Sequence, residues 1–126
     1  MTKEKARELI NTYGEAWVKQ DPELILTVFT PDATYDDPNE PKNFGYGGIR
    51  AYWISKVLGE QKDINFKLQN VWIDEGGEKV IAEWEAEFTD VVRNLRIHMF
   101  EVAIFDALGD KFSSLRKYYK TTKTAL

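Results

Sequence analysis

The sequence predicts an α+β domain in which helices come first and a meander of antiparallel strands follows. Apolar residues recur at helical spacing near the N-terminus, at Ala6, Leu9, Ile10, Tyr13, Ala16 and Trp17. From Ile64 onward the apolar period shortens to two, as in Ala82-Glu83-Trp84-Glu85-Ala86-Glu87-Phe88, which suits a sheet with one dry and one wet face. The strand-like runs are separated by turn-forming stretches, Glu75-Gly76-Gly77-Glu78 and Asp106-Ala107-Leu108-Gly109-Asp110.

Taken in order, residues from about 3 to 20 form an amphipathic helix, with Lys5, Glu8, Asn11, Glu15 and Lys19 mostly opposite the apolar stripe. Asp21-Pro22-Glu23 offers an N-cap, a first-turn proline and an acid that complements the helix dipole. A second helix is therefore expected over about Pro22 to Phe29, stopping before Thr30-Pro31. Ala33 to Asp36 reads as a short strand ended by Asp37-Pro38. Asn39 to Gly48, with Pro41, three glycines and the rings of Phe44 and Tyr46, reads as a loop on a mobile pocket rim. A third helix places Ile49, Tyr52, Trp53, Lys56 and Val57 on one face. Ile64 to Asp74 is the next strand, with Phe66, Leu68 and Trp72 on one side and Val71 and Ile73 on the other. Ile97 to Phe105 is nearly continuous in apolar character and is expected to be buried on both sides. Lys111 to Tyr119 forms the last strand, and the polar tail from Lys120 is expected to fray.

The chain has 126 residues, and one domain spanning 1–126 is expected, with 43% apolar and 30% charged residues. A net charge of -4 with scattered Lys and Arg argues against a nucleic-acid partner. No cysteine is present, which removes disulfides, thiol nucleophiles and thiolate metal sites and fits a reducing, cytoplasmic setting. No apolar run approaches the roughly 20 residues of a membrane helix, and the N-terminus leads into an amphipathic stretch, not a signal sequence. No membrane partner, cofactor or metal is expected, since a single histidine gives a transition-metal site little to build on.

Glu101 interrupts the most apolar strand, between Phe100 and Val102. Its carboxyl must be paired, with Arg93, Arg96 or Arg116, or it must be neutralised in a polar cavity, because a lone buried charge is too costly. His98, the only histidine, falls on the opposite face of a regular strand from Glu101. Glu83, Glu85 and Glu87 share a solvated or interface face.

Tyr13 followed by Asp21-Pro22, then Asp32-Ala33-Thr34-Tyr35-Asp36-Asp37-Pro38, then Gly109 leading into Ser114-Leu115-Arg116-Lys117-Tyr118-Tyr119, together resemble the nuclear transport factor 2-like superfamily. Within it the chain is most similar to SnoaL-like polyketide cyclases and ketosteroid isomerase. The resemblance spans nearly the whole chain. It implies a cone-shaped roll, with three helices against a curved, mostly antiparallel sheet around a deep apolar pocket, and a homodimer packed through the sheets. Superfamily members include isomerases, cyclases, dehydratases, epoxide hydrolases and silent binding modules.

Set against ketosteroid isomerase, the resemblance puts Tyr13 at the oxyanion-stabilising tyrosine and Asp37, with Asp36 beside it, at the general base. Glu101 falls at an acid kept protonated at neutral pH. Tyr35, larger than the family's frequent choice, is expected to narrow the pocket. Trp17, Trp53, Trp84, Met99, Leu115 and Tyr119 are expected to bind substrate, with Phe44 and Tyr46 at the rim. The function so implied is a cofactor-independent acid/base isomerase, cyclase or dehydratase acting on a small apolar carbonyl compound. The alternative is a non-catalytic module of the same fold that binds a hydrophobic ligand or serves only to dimerise.

Overall fold

A computed structural model describes residues 1–126. Helix α1 (Lys3–Val18) opens on an N-cap from Thr2, whose hydroxyl accepts the Lys5 N–H at 3.1 Å. It ends two residues before the expected boundary, because Gln20 turns left-handed at φ 53°. Asp21 does act as a cap, its Oδ1 accepting the N–H groups of Glu23 and Leu24 at 3.0 Å each. The capped segment is not the expected second helix, however, but a single 3₁₀ turn, Ile25–Val28. Eight residues before a proline give little α-helix against the cost of nucleation, and burial of Ile25, Leu26 and Val28 is satisfied by one tight turn.

Strand β1 (Phe29–Asp36) begins earlier than expected, since its register shift between Phe29 and Thr34 accommodates Pro31. Strand β2 (Asn43–Phe44) and helix α2 (Gly45–Tyr52) absorb most of the segment expected to be loop, with Gly45 at φ 66° making the turn between them. The third predicted helix is thus the second true one, and it continues into a π-helical turn, Trp53–Leu58.

Strands β3 (Gln61–Ile73), β4 (Lys79–Asp90), β5 (Leu95–Leu108) and β6 (Lys111–Ala125) form the antiparallel meander. The sheet order is β2-β1-β6-β5-β4-β3, with β1 parallel to β6. A register shift between Leu68 and Asn70 reverses the parity of β3. Phe66 and Leu68 pack inward, and so do Val71 and Ile73 beyond the shift, while Trp72 is turned out and 49% exposed. Nor is β5 buried on both faces: Met99, Glu101 and Ala103 face in, whereas Phe100 and Val102 are exposed. The tail does not fray, because β6 pairs with β5 as far as Ala125 opposite Leu95.

The curved sheet closes over α1 and α2, and the core fills the space between them. A Cβ at position 14 would overlap the Phe66 ring, so Gly14 is what lets α1 lie close against β3. No helix is long and apolar enough to cross a membrane.

Candidate functional site

Between the helices and the concave face lies a cavity of about 300 Å³. The end of β1 delivers Tyr35 and Asp37 to it; α1 delivers Tyr13 and Trp17, α2 and its π turn Tyr52, Trp53 and Val57, β5 Met99, and β6 Lys117 and Tyr119. Of its 22 lining residues eleven are hydrophobic, seven of them aromatic, and eleven are polar or charged, so the cavity is less apolar than the resemblance implies.

Asp37 is 5% exposed and well supplied with donors. Its Oδ1 accepts the Tyr119 hydroxyl at 2.8 Å and the Asn39 N–H at 3.0 Å, and its Oδ2 accepts the Tyr52 hydroxyl at 3.1 Å. Burial alone would push this carboxyl up, but the Lys117 ammonium and the three donors outweigh it and hold the pKa below the ordinary value.

Lys117 is the charged group at the centre of the site that was not among the predicted site residues. Its ammonium lies 3.7 Å from Asp37 Oδ2 and 3.6 Å from Glu101 Oε2, and donates to the Tyr13 hydroxyl at 3.3 Å. It also sits 5.3 Å above each of the Trp17 and Tyr35 rings, in cation–π range. Burial opposes the charge, yet the neighbouring Glu101 carboxyl raises its pKa above the ordinary lysine value, with the Asp37 carboxylate also at hand, so it is an ammonium at neutral pH. The signal was available: alternation from Leu115 to Tyr119 puts Lys117 on their inward face.

Tyr13 and Tyr35 share a hydrogen bond of 2.8 Å between their hydroxyls, and burial raises the pKa of both. Tyr35 also stacks its ring near that of Tyr13, so it does occupy pocket space. Tyr52 and Asn39, neither of them a predicted site residue, complete the setting of Asp37; Asn39 also donates to the Tyr119 hydroxyl at 2.6 Å.

Glu101 is 2% exposed but is not part of the cavity wall. The structure does not bring Tyr13 and Glu101 directly together; Lys117 lies within reach of both. None of the candidate arginines pairs with Glu101, since Arg93 and Arg96 are engaged with Glu60 and Asp90 and with Glu87. Neither carboxyl oxygen of Glu101 accepts a hydrogen bond. Burial therefore raises its pKa despite the opposing charge of Lys117.

Among the other predicted residues, Trp17, Trp53, Met99 and Tyr119 line the cavity. Trp84 and Leu115 do not: each is 1% exposed and packed in the core beneath it. Asp36 pairs in register with Arg116 and lies off the wall, because successive strand residues face opposite ways. Phe44 is 66% exposed and outside the cavity, with Lys42 over its ring. Tyr46 is pinned by donating to the Phe29 carbonyl at 3.0 Å and does not form a rim. His98 is on the outer face, 3.7 Å from Glu85 and 3.8 Å from Glu87. No group of three His, Cys, Asp or Glu side chains is arranged to hold a metal ion.

At the mouth an ion-pair chain runs from Glu40 to Lys56 (2.8 Å), Glu60 (3.2 Å), Arg93 (3.5 Å) and Asp90 (2.9 Å). It ties the segment after β1, the π turn and the β4–β5 turn together around the opening.

The sequence profile of the SnoaL-like domain matches residues 10–113. The chain belongs to this family. The SnoaL-like domain is part of the nuclear transport factor 2-like superfamily; this chain matches no curated protein, but its fold recurs in solved structures. A hexachlorocyclohexane dehydrochlorinase, LinA type 2, superposes with a TM-score of 0.83 at 16% identity, covering 95% of this chain and 86% of its own. A hypothetical protein of ketosteroid isomerase-like fold from Catenulispora acidiphila, in complex with trimethylamine, gives 0.80 at 17% identity, covering 90% and 85%. The epoxide hydrolase/cyclase-like enzyme SalBIII, which acts in pyran ring formation in salinomycin, gives 0.78 at 21% identity, covering 93% and 92%. At these identities the likeness is one of fold.

Proposed function

We propose that this SnoaL-like domain is an enzyme that moves a proton on a small, mostly apolar carbonyl compound through an enolate-like intermediate, using side chains alone. Isomerisation, cyclisation and dehydration all share that step. The observation that carries the reading is Asp37, a buried carboxylate with a lowered pKa on the wall of a cavity that also presents the Tyr13 hydroxyl. A carboxylate held below the usual range is ionised throughout the physiological range and always free to take a proton. Its weak basicity then has to be offset by stabilising the oxyanion formed at the far end of the substrate. Tyr13 is the uncharged donor for that oxyanion. Cyclase-like and dehydrochlorinase chemistry on the same fold, in SalBIII and LinA, supports this class of reaction.

A second reading, a binding module without catalysis, is favoured by one feature: Asp37 already accepts three hydrogen bonds, as a purely structural carboxylate would. Proton NMR in D₂O separates the two. With 2-tetralone as probe, the protein accelerates exchange of the α-hydrogens for deuterium, and Asp37→Asn lowers the rate by roughly 10²–10⁴. If the ketone binds and its exchange is not accelerated, the binding module is the correct reading.

Homodimerisation through the outer sheet face belongs to the same proposal. Trp72, Ile81, Phe100, Val102 and Tyr118 are 36–55% exposed there on adjoining strands, and contiguous apolar surface of this kind marks an interface.

A further inference from the structure

Lys117 has no part in the proton transfer from substrate to Asp37, yet it is a buried cation on the cavity wall. We propose, resting on the acid/base reading, that Lys117 is a catalytic residue whose ammonium holds the substrate oxyanion together with the Tyr13 hydroxyl, and that Glu101 positions it from beneath.

An ammonium has three protons to donate. Only the Tyr13 hydroxyl, at 3.3 Å, accepts one of them, because the carboxyl oxygens of Asp37 and Glu101 stand off at 3.7 and 3.6 Å. Donor capacity is therefore left over on a side chain only 4% exposed, and a ligand oxygen at about 2.8 Å makes a charge-assisted hydrogen bond with it. Glu101 lies behind Lys117 and off the wall, so it can steady the ammonium but cannot touch a ligand in the cavity. Nucleophilic attack by Lys117 is disfavoured, since its amine is protonated at neutral pH.

The charges of the site account for why such a cation would favour the transition state over the bound substrate. Before reaction Lys117 is balanced by the Asp37 carboxylate. The substrate α-C–H bond then breaks, its proton bonds to an Asp37 oxygen, its electron pair forms the new C=C bond, and the carbonyl π pair moves onto the oxygen. Asp37 becomes neutral as the enolate oxygen becomes negative, so the net charge of the site is unchanged. Lys117 exchanges one counter-charge for the other, and its attraction for the oxygen grows as the reaction proceeds. Binding that strengthens only along the reaction coordinate is what accelerates a step.

The test uses 2-naphthol, a planar mimic of the enol that reports its ionisation by absorbance, alongside 2-tetralone exchange. Wild-type protein at pH 7 should bind it as the red-shifted naphtholate. Asp37→Asn should lower exchange by the roughly 10²–10⁴ expected for loss of the base and retain or strengthen the naphtholate signal, because the competing carboxylate is gone. Lys117→Met should bind naphthol in its neutral form with the naphtholate fraction lowered at least about tenfold, equivalent to about 1.4 kcal/mol. Should Lys117→Met fail to fold, Asp37→Asn/Lys117→Met, which removes both charges, is compared with Asp37→Asn alone. Glu101→Ala should lower the signal and Glu101→Gln restore it. Naphthol bound un-ionised by the wild type, or a naphtholate signal indifferent to loss of Lys117, overturns the assignment. Exchange lost in Asp37→Asn but unchanged in Lys117→Met overturns it too and leaves the acid/base reading standing. A Lys117-dependent naphtholate signal with no exchange supports the oxyanion site and sinks the acid/base reading instead.

Discussion

The two faces of strands β4 to β6 are built from alternate residues of the same stretches and treat charge in opposite ways. On the inner face Glu101 and Lys117 stand among Trp84, Met99, Ala103 and Leu115, at 2% and 4% exposure. On the outer face Glu83, Glu85, Glu87, Arg96 and His98 stand among Phe100, Val102 and Tyr118, in contact with water. Inside, each charge is felt by its neighbours: Lys117 is held as a cation, and Glu101, which accepts no hydrogen bond, is pushed toward its neutral form. Outside, solvent screens the same residue types, and their pairs contribute little. A residue's chemistry here follows its parity along the strand more than its identity.

The largest expected contrast comes from removing the inner cation. Lys117→Met leaves the Asp37 carboxylate buried without its counter-charge, and urea denaturation at pH 7 should show a loss of about 3–5 kcal/mol. A loss under about 1 kcal/mol would mean that the inner charges behave like surface ones. Next comes the outer apolar patch. Sedimentation should give twice the 14.6 kDa chain mass for the wild type and the single-chain mass for Phe100→Glu. A wild type that sediments as a single chain at micromolar concentration removes the proposed interface.

A smaller effect lies in the pH dependence of stability, where the two inner carboxyls act in opposite directions. The folded pKa of Asp37 is depressed, so its contribution is present above the ordinary value of 3.8 and lost as pH falls through the lower folded value. The folded pKa of Glu101 is raised, so its contribution is full below the ordinary value of 4.5 and lost as pH rises through the higher folded value. Glu101→Gln should therefore flatten the stability profile on the alkaline side of pH 4.5, and Asp37→Asn should flatten it on the acid side of 3.8. Thermal melts from acid to neutral pH check both; a Glu101→Gln profile parallel to the wild type would place Glu101 with the outer charges. The smallest change is expected from Glu87→Ala, which breaks the pair with Arg96 at 3.3 Å, leaves Arg96 bonded to the Asp63 carbonyl and the Thr89 hydroxyl, and should cost at most about 1 kcal/mol.

Local pattern made much of this legible. Alternation assigned β4 and the opposed faces of His98 and Glu101, and the helical stripe turned Tyr13 and Trp17 inward. Failures came where a single residue changed the count or where short segments had to choose a state. The register shift after Leu68 sent Trp72 outward, the residues after Asp21 yielded a 3₁₀ turn, and the glycine-rich stretch became β2 and the start of α2. The site was half legible for a related reason. Asp37, Tyr13 and Glu101 stood out as residue types; alternation with Leu115 and Tyr119 put Lys117 on the inner face, but which groups it meets there is set only when its strand is placed in the sheet.

By itself the sequence determined the order of elements, the inward stripe of α1, the strand parity of β4 and β5, and membership of a fold family, because these depend on spacing between near neighbours. Only the tertiary structure decided which charges meet. Lys117 is 104 residues from Tyr13, 80 from Asp37 and 16 from Glu101. What brings them within 4 Å is the parallel placement of β1 beside β6, the antiparallel pairing of β5 with β6, and the packing of α1 against β3, which leaves Tyr13 facing Lys117. Energies of buried charges depend on distance and on exclusion of water, and neither is defined until the sheet has curved over the helix.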